Sequence, residues 1–301
     1  MKKNRGQGSG VRGQKDRLTS HVLRLTVFML FSIYCSLFTA FAASDDFRQR
    51  ASQGDESFSE EDDVKAEVIF GRGLAARILG KHSFYEDEKL NKYVNKLGKG
   101  LAQFANRPEI EFRFAVLDTD IVNAYAAPGG YIFVTKGAIR KMEDDAELAA
   151  VLSHEIAHVS ERHIVKELNI KGTEVSPVSG FARVLGGGTG AVKAVFTQMV
   201  DKAAEILFEK GLKKQDEFDS DRVATMIIST AGYDPSALKR YLKKISSAAK
   251  ETKTLTDTHP SFDERIKNVD TILADNQLTE KKQARVKERF EERSRGLRGK
   301  E

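Results

Sequence analysis

The run Ala149-Ala150-Val151-Leu152-Ser153-His154-Glu155-Ile156-Ala157-His158 sets two histidines four residues apart in an otherwise apolar stretch. On an α-helix, side chains four apart share a face, so His154 and His158 reach toward one point. Glu155 follows the first histidine directly. His-Glu-x-x-His is the pattern in which two neutral imidazoles bind Zn²⁺ and the glutamate acts as general base on the metal's water. Around it, Leu148, Val151, Leu152, Ile156 and Val159 recur at spacings suited to a core-facing helix. Asp144 and Asp145 suit its start, where carboxylates accept unpaired N–H groups and complement the dipole. Two histidines and a glutamate are costly to bury so close together without a cation, and that weighs for a metal.

A third ligand must come from elsewhere. A metzincin takes it from a histidine six residues after the second. Here His163 follows after five, and Glu161 stands where that class has glycine. A gluzincin uses a glutamate from a second, downstream helix. Gln215-Asp216-Glu217-Phe218-Asp219-Ser220-Asp221-Arg222 offers Glu217 and Asp221 on one helical face. Glu217 is the candidate zinc ligand, with Glu205 and Glu209 weaker candidates because they fall on an amphipathic helix where glutamates are usually solvated. Asp221 is placed to accept a hydrogen bond from a ligand histidine and fix its tautomer.

The pattern then becomes specific. His154 to His163 read His-Glu-Ile-Ala-His-Val-x-x-Arg-His, followed by Glu217-x-Asp219-Ser220-Asp221, Ala231-Gly232-Tyr233-Asp234-Pro235 and Thr258-His259-Pro260-Ser261. Together with Asn123-Ala124-Tyr125-Ala126-Ala127-Pro128-Gly129-Gly130-Tyr131, this resembles the zinc metallopeptidase family of HtpX, BepA, mitochondrial Oma and the CAAX prenyl proteases, over residues 62–275. The family usually has Glu-x-Glu-Ala-Asp where this chain has Asp219 and Ser220, but Glu217 is kept.

The resemblance implies an α+β fold: a mainly helical gluzincin metallopeptidase domain with a small antiparallel sheet beside the metal helix. It implies one Zn²⁺ per chain and peptide-bond hydrolysis, with unfolded or misassembled envelope proteins as substrates. It gives Asn123, Ala124, Tyr125 and Ala126 the role of a substrate-binding edge strand. It brings His259 toward the zinc, either as a hydrogen-bond donor in catalysis or as a plug on the metal. The alternative is a chaperone-like assembly factor with little-used protease activity.

Composition bounds the rest. The chain has 301 residues, 40% hydrophobic and 31% charged, enough for one domain with a real core. The formal charge of +5 is concentrated in residues 1–42, which hold seven Lys/Arg and one acid. The remainder carries 42 basic and 43 acidic residues, so no nucleic-acid partner is expected. In the leader a basic segment precedes the apolar run 25–41 and Ala40-Phe41-Ala42. That is the order of a signal peptide, or of an uncleaved signal anchor that associates with the membrane. Either reading places the domain in the periplasm of a Gram-negative bacterium, soluble or anchored to the inner membrane.

Residues 43–62 read as a flexible acidic linker, 63–275 as the metallopeptidase domain and 276–301 as a charged C-terminal tail. Leu90, Tyr93, Val94, Leu97, Leu101 and Phe104 form a helical stripe. Ile110, Phe112, Phe114 and Val116 alternate as in a strand, and Pro128-Gly129-Gly130 turns a hairpin that ends in a strand from Tyr131. The glycine-rich stretch 172–190 suggests a flap over the cleft, since no Gly-Lys-Ser/Thr follows to make it a phosphate loop. Ser261 and Glu264 form a capping box, and Arg265 beyond them reads as solvated by default, with orientation of His259 as the other reading.

Overall fold

The computed structural model describes residues 61–168, 170, 190–249, 261–281 and 283–298. The leader, most of the linker, most of the glycine-rich stretch and His259 lie outside the described residues.

The elements run α1 (Glu61–Lys81), α2 (Glu88–Ala102), β1 (Arg113–Leu117), β2 (Ala124–Ala127), β3 (Tyr131–Thr135), α3 (Lys136–Arg140), α4 (Asp145–Ser160), α5 (His163–Glu167), α6 (Gly190–Glu205), α7 (Lys214–Thr230), α8 (Ala237–Ala249), α9 (Phe262–Asp275) and α10 (Lys287–Arg298). The fold is α+β and mainly helical. α4 is its axis: every residue from Asp145 to Val159 is buried, as befits a helix packed on all sides. Asp144 caps it, its carboxylate accepting the Glu147 N–H at 3.0 Å. α7 packs along α4, and α2, α8 and the sheet close the remaining sides.

The sheet is mixed rather than antiparallel. β2 and β3 form the expected hairpin, but β1 pairs in parallel with β3, giving the order β1-β3-β2. The connection from β1 to β2 crosses over the end of β3 and returns on its far side. It lies so close to Gly137 that a Cβ there would stand 2.2 Å from the Asp120 carbonyl oxygen. Bare glycine backbone at this crossing lets β3 insert between its predecessors.

α1 lies over the hairpin turn in the same way. A Cβ on Gly71 would meet the Pro128 carbonyl oxygen at 1.6 Å. Glu67 of α1 joins the two ends of the arrangement: Oε1 accepts the Gly129 N–H at 3.3 Å, and Oε2 pairs with Arg107 at 2.9 Å. Arg107 in turn donates to the Val159 carbonyl at the end of α4.

Residues 276–301 are not simply a charged tail. α10 docks with Phe290 and Leu297 buried, and Arg289 pairs with the buried Asp145 at the start of α4. Tyr93 donates its O–H to the same carboxylate.

Candidate metal centre

α4 supplies His154, Glu155 and His158, and α7 supplies Glu217 and Asp221. All five side chains are buried. The donor atoms of His154, His158 and Glu217 lie within 4.8 Å of one another, and they are the only such group among the described residues. The Nε2 atoms of the histidines are 3.0 Å apart. Glu217 Oε2 lies 3.5 Å from Nε2 of His154, and Oε1 lies 3.6 Å from Nε2 of His158. Ligands bound at 2.0–2.1 Å in a tetrahedron stand about 3.3 Å from one another, so these separations fit a small tetrahedral cation.

The outer nitrogens are held as well. His154 Nδ1 lies 3.0 Å from Asp221 Oδ1, a carboxylate able only to accept. His158 Nδ1 lies 2.9 Å from Nδ1 of His163. Burial first, and then the Lys166 ammonium, push the His163 imidazole down to about 3, so it is neutral and can accept. Both N–H groups are thereby drawn outward, and both Nε2 atoms face inward toward Glu217.

Burial and the Arg265 guanidinium work against a charge on His154. Hydrogen bonds to Asp221 and Glu217 outweigh them, and the pKa rises to about 9. The point between these groups therefore attracts positive charge. Glu155, Glu217 and Asp221 face one guanidinium, Arg265, a formal excess of two negative charges that a divalent cation balances.

Arg265 is not solvated. It is buried at 5% exposure and grips Asp221 through two bonds, Nε to Oδ2 at 3.0 Å and Nη2 to Oδ1 at 2.6 Å. It also lies 3.3 Å from Glu217. The Asp221 carboxylate is pushed up by burial but held below the usual range by Arg265 and His154. A signal for this was present in the sequence. Phe262, Val269, Ile272 and Leu273 form the buried stripe of α9, and Arg265 sits within that stripe. His163, out of register for a metzincin ligand, meets His158 directly.

A cavity of about 30 Å³ opens beside the cluster, room for one water. Glu155, His158 and Glu217 line it on one side, and Ala124, Tyr125 and Ala126 on another. β2 is a sheet edge, as the hairpin reading requires, but its side chains are not exposed. Tyr125 is buried, stacked on a half-buried His82 and edge-on to Phe208. Asn123 stands just before β2, its backbone N–H 3.1 Å from the Thr135 hydroxyl.

Comparison with known proteins follows the same lines. Residues 88–273 match the model of Peptidase family M48. The chain is 28% identical over 222 residues to the beta-barrel assembly-enhancing protease of Yersinia pestis, covering 67% of this chain and 43% of that protein. It is 24% identical over 193 residues to the mitochondrial metalloendopeptidase OMA1 of Schizosaccharomyces pombe, covering 62% and 54%. It is 24% identical over 213 residues to the metalloprotease YcaL of Escherichia coli, covering 70% and 81%. The chain thus spans less than half the length of the assembly-enhancing proteases it matches.

Proposed function

The chain belongs to Peptidase family M48, and from that premise we propose that it is a zinc-dependent endopeptidase, with His154, His158 and Glu217 holding the ion and Glu155 as general base. The observation that carries this reading is the inward-facing set of two imidazole nitrogens and a carboxylate at tetrahedral spacing. The donors suit zinc, which takes nitrogen and oxygen ligands in a tetrahedron and keeps one position open in catalytic sites. Bound zinc acidifies a water and polarises the scissile carbonyl.

The chain's own residues do the rest. Glu155 accepts a proton from the attacking water on a carboxylate oxygen and later returns it to the leaving amine. Asp221 and His163 hold the ligand imidazoles in one tautomer. Arg265 fixes Asp221 and keeps the carboxylates from repelling one another. Asn123, Ala124, Tyr125 and Ala126 pair with an extended substrate through backbone groups, a mode indifferent to side-chain sequence. On the family resemblance, His259 serves either as a hydrogen-bond donor to the carbonyl oxygen as charge builds on it or as a plug on the metal in a latent state.

The substrates proposed are unfolded or misassembled proteins of the bacterial envelope, met in the periplasm. Support comes from the order of the leader and from relatives whose name joins barrel assembly to proteolysis. That same name favours a second reading, an assembly factor that binds such proteins and cleaves rarely. No helix among the described residues is long and apolar enough to cross a membrane.

The test is Glu155→Gln on the full chain. Zinc content should stay at the wild-type level while casein digestion falls by about 10²–10⁴-fold. Digestion at the wild-type rate would remove Glu155 as the base. If the variant still relieves an envelope-assembly defect, the binding role is the principal one.

A further inference from the structure

A larger cavity of about 660 Å³ lies at the other end of the α4–α7 pair and shares no lining residue with the metal centre. It opens next to Tyr93 of α2, Thr230 at the end of α7 and Arg289 of α10. Thr230 stands thirteen residues after Glu217 along α7, about 20 Å at the helical rise.

Its construction is ordered. Tyr93, Leu97 and Leu101 recur along α2 and, with Phe104 just past its end, make an apolar floor, with Ala231 and Tyr233 opposite. Phe104 is 37% exposed, although its spacing continues the buried stripe of α2. Lys89, Lys92 and Lys96 run along one rim at the same helical spacing, and Arg289 and Arg293 stand one turn apart on α10 along the other. Five cations therefore bracket an apolar floor. Lys92 and Arg289 are engaged by Glu88 and Asp145, and Arg293 lies 3.7 Å from Glu292. Lys89 and Lys96 have no ion-pair partner among the described residues.

We propose that this groove is a second binding site, for an acidic protein segment whose apolar side chains are flanked by carboxylates. Charge complementarity selects the occupant: the rim fits carboxylates and the floor fits the aliphatic or aromatic groups between them. The concave shape favours a protruding segment over a flat anionic membrane, because Tyr93, Leu97 and Leu101 are less exposed than Lys89, Lys92 and Lys96 beside them. Cation pairing at the rim speeds and orients docking, and burial on the floor retains it. In an endopeptidase such a site tethers a partner some distance from the bond to be cut.

Gly100 offers a clean test. A Cβ at this position meets nothing within 4 Å, so a large side chain would project into the groove without disturbing the fold. The full chain carrying Glu155→Gln and loaded with zinc is titrated, by fluorescence anisotropy, into a short labelled peptide alternating glutamate with leucine and phenylalanine. Saturable binding is expected, weakening with salt. Adding Gly100→Trp, or Lys89→Glu with Lys96→Glu, should weaken it by about tenfold or more, roughly the loss of one good anchor or charge pair.

A peptide with lysine in place of glutamate should not bind. Equal binding of the two peptides, or no effect of either variant, overturns the proposal. So does Lys89- and Lys96-dependent binding to phosphatidylglycerol vesicles without binding to the peptide, which would assign the surface to a membrane. Should Gly100→Trp lose its thermal transition, the double charge reversal decides, since both lysines are exposed. Binding is read on a chain unable to turn over, so its failure is separate from any failure of the peptidase reading.

Discussion

His163 and Asp221 hold the two imidazoles from opposite sides, and each is testable alone. His163→Leu removes the acceptor for the His158 N–H. Zinc affinity, measured by chelator competition, is expected to fall about 10–100-fold, the usual cost of losing such a partner. Unchanged affinity would reduce His163 to packing. Arg265→Met poses a different question, because it strands two buried carboxylates. Breaking a buried pair from one side costs about 3–5 kcal/mol, and the urea midpoint should drop accordingly. Glu217 and Asp221 were legible because a gluzincin needs a glutamate on a second helix and these two share a face. Arg265 was hidden because an arginine beside Glu264 and Lys267 reads as solvent-facing unless the apolar stripe around it is traced first.

Among the elements, α1 depends on a close approach that periodicity does not reveal. Gly71→Ala in an ordinary helix would gain about 1 kcal/mol. Here the added carbon meets the Pro128 carbonyl, so the helix must shift from the hairpin turn and stability should fall by about 1–3 kcal/mol. A thermal midpoint that rises on substitution would contradict the contact. The hairpin itself was legible from Pro128-Gly129-Gly130. The parallel pairing of β1 with β3 was not, because it is decided by where the crossing connection docks against Gly137 rather than by any local alternation. The docking of α10 was likewise masked by its charge. Phe290 and Leu297, two turns apart, carry the only apolar signal in a helix dense with lysine, arginine and glutamate.

For the whole molecule, acid sensitivity follows from the carboxylates. Asp234 is pushed up by burial, but Ser236, Arg240 and Arg285 hold it below the usual carboxylate range. Between its folded pKa and the ordinary value near 4, the unfolded chain binds the proton more readily. Stability from Asp234 is therefore fully present above that value and is lost as pH falls through the lower, folded one. Urea midpoints from pH 6 to pH 3 should decline, and Asp234→Asn should flatten the curve. An identical slope in the variant would show that other carboxylates dominate.

Two guanidinium groups from far downstream pin the surroundings of the histidine helix: Arg265, 111 residues beyond His154, grips Asp221, and Arg289, 144 residues beyond Asp145, pairs with Asp145 itself. A nascent chain emerges from the ribosome in order, so the would-be scissors exist for many seconds of translation before either pin is made. Until Arg265 is made, Glu217 and Asp221 lack the guanidinium that sits against both. The order of synthesis therefore leaves the charge balance of this centre among the last things the chain completes.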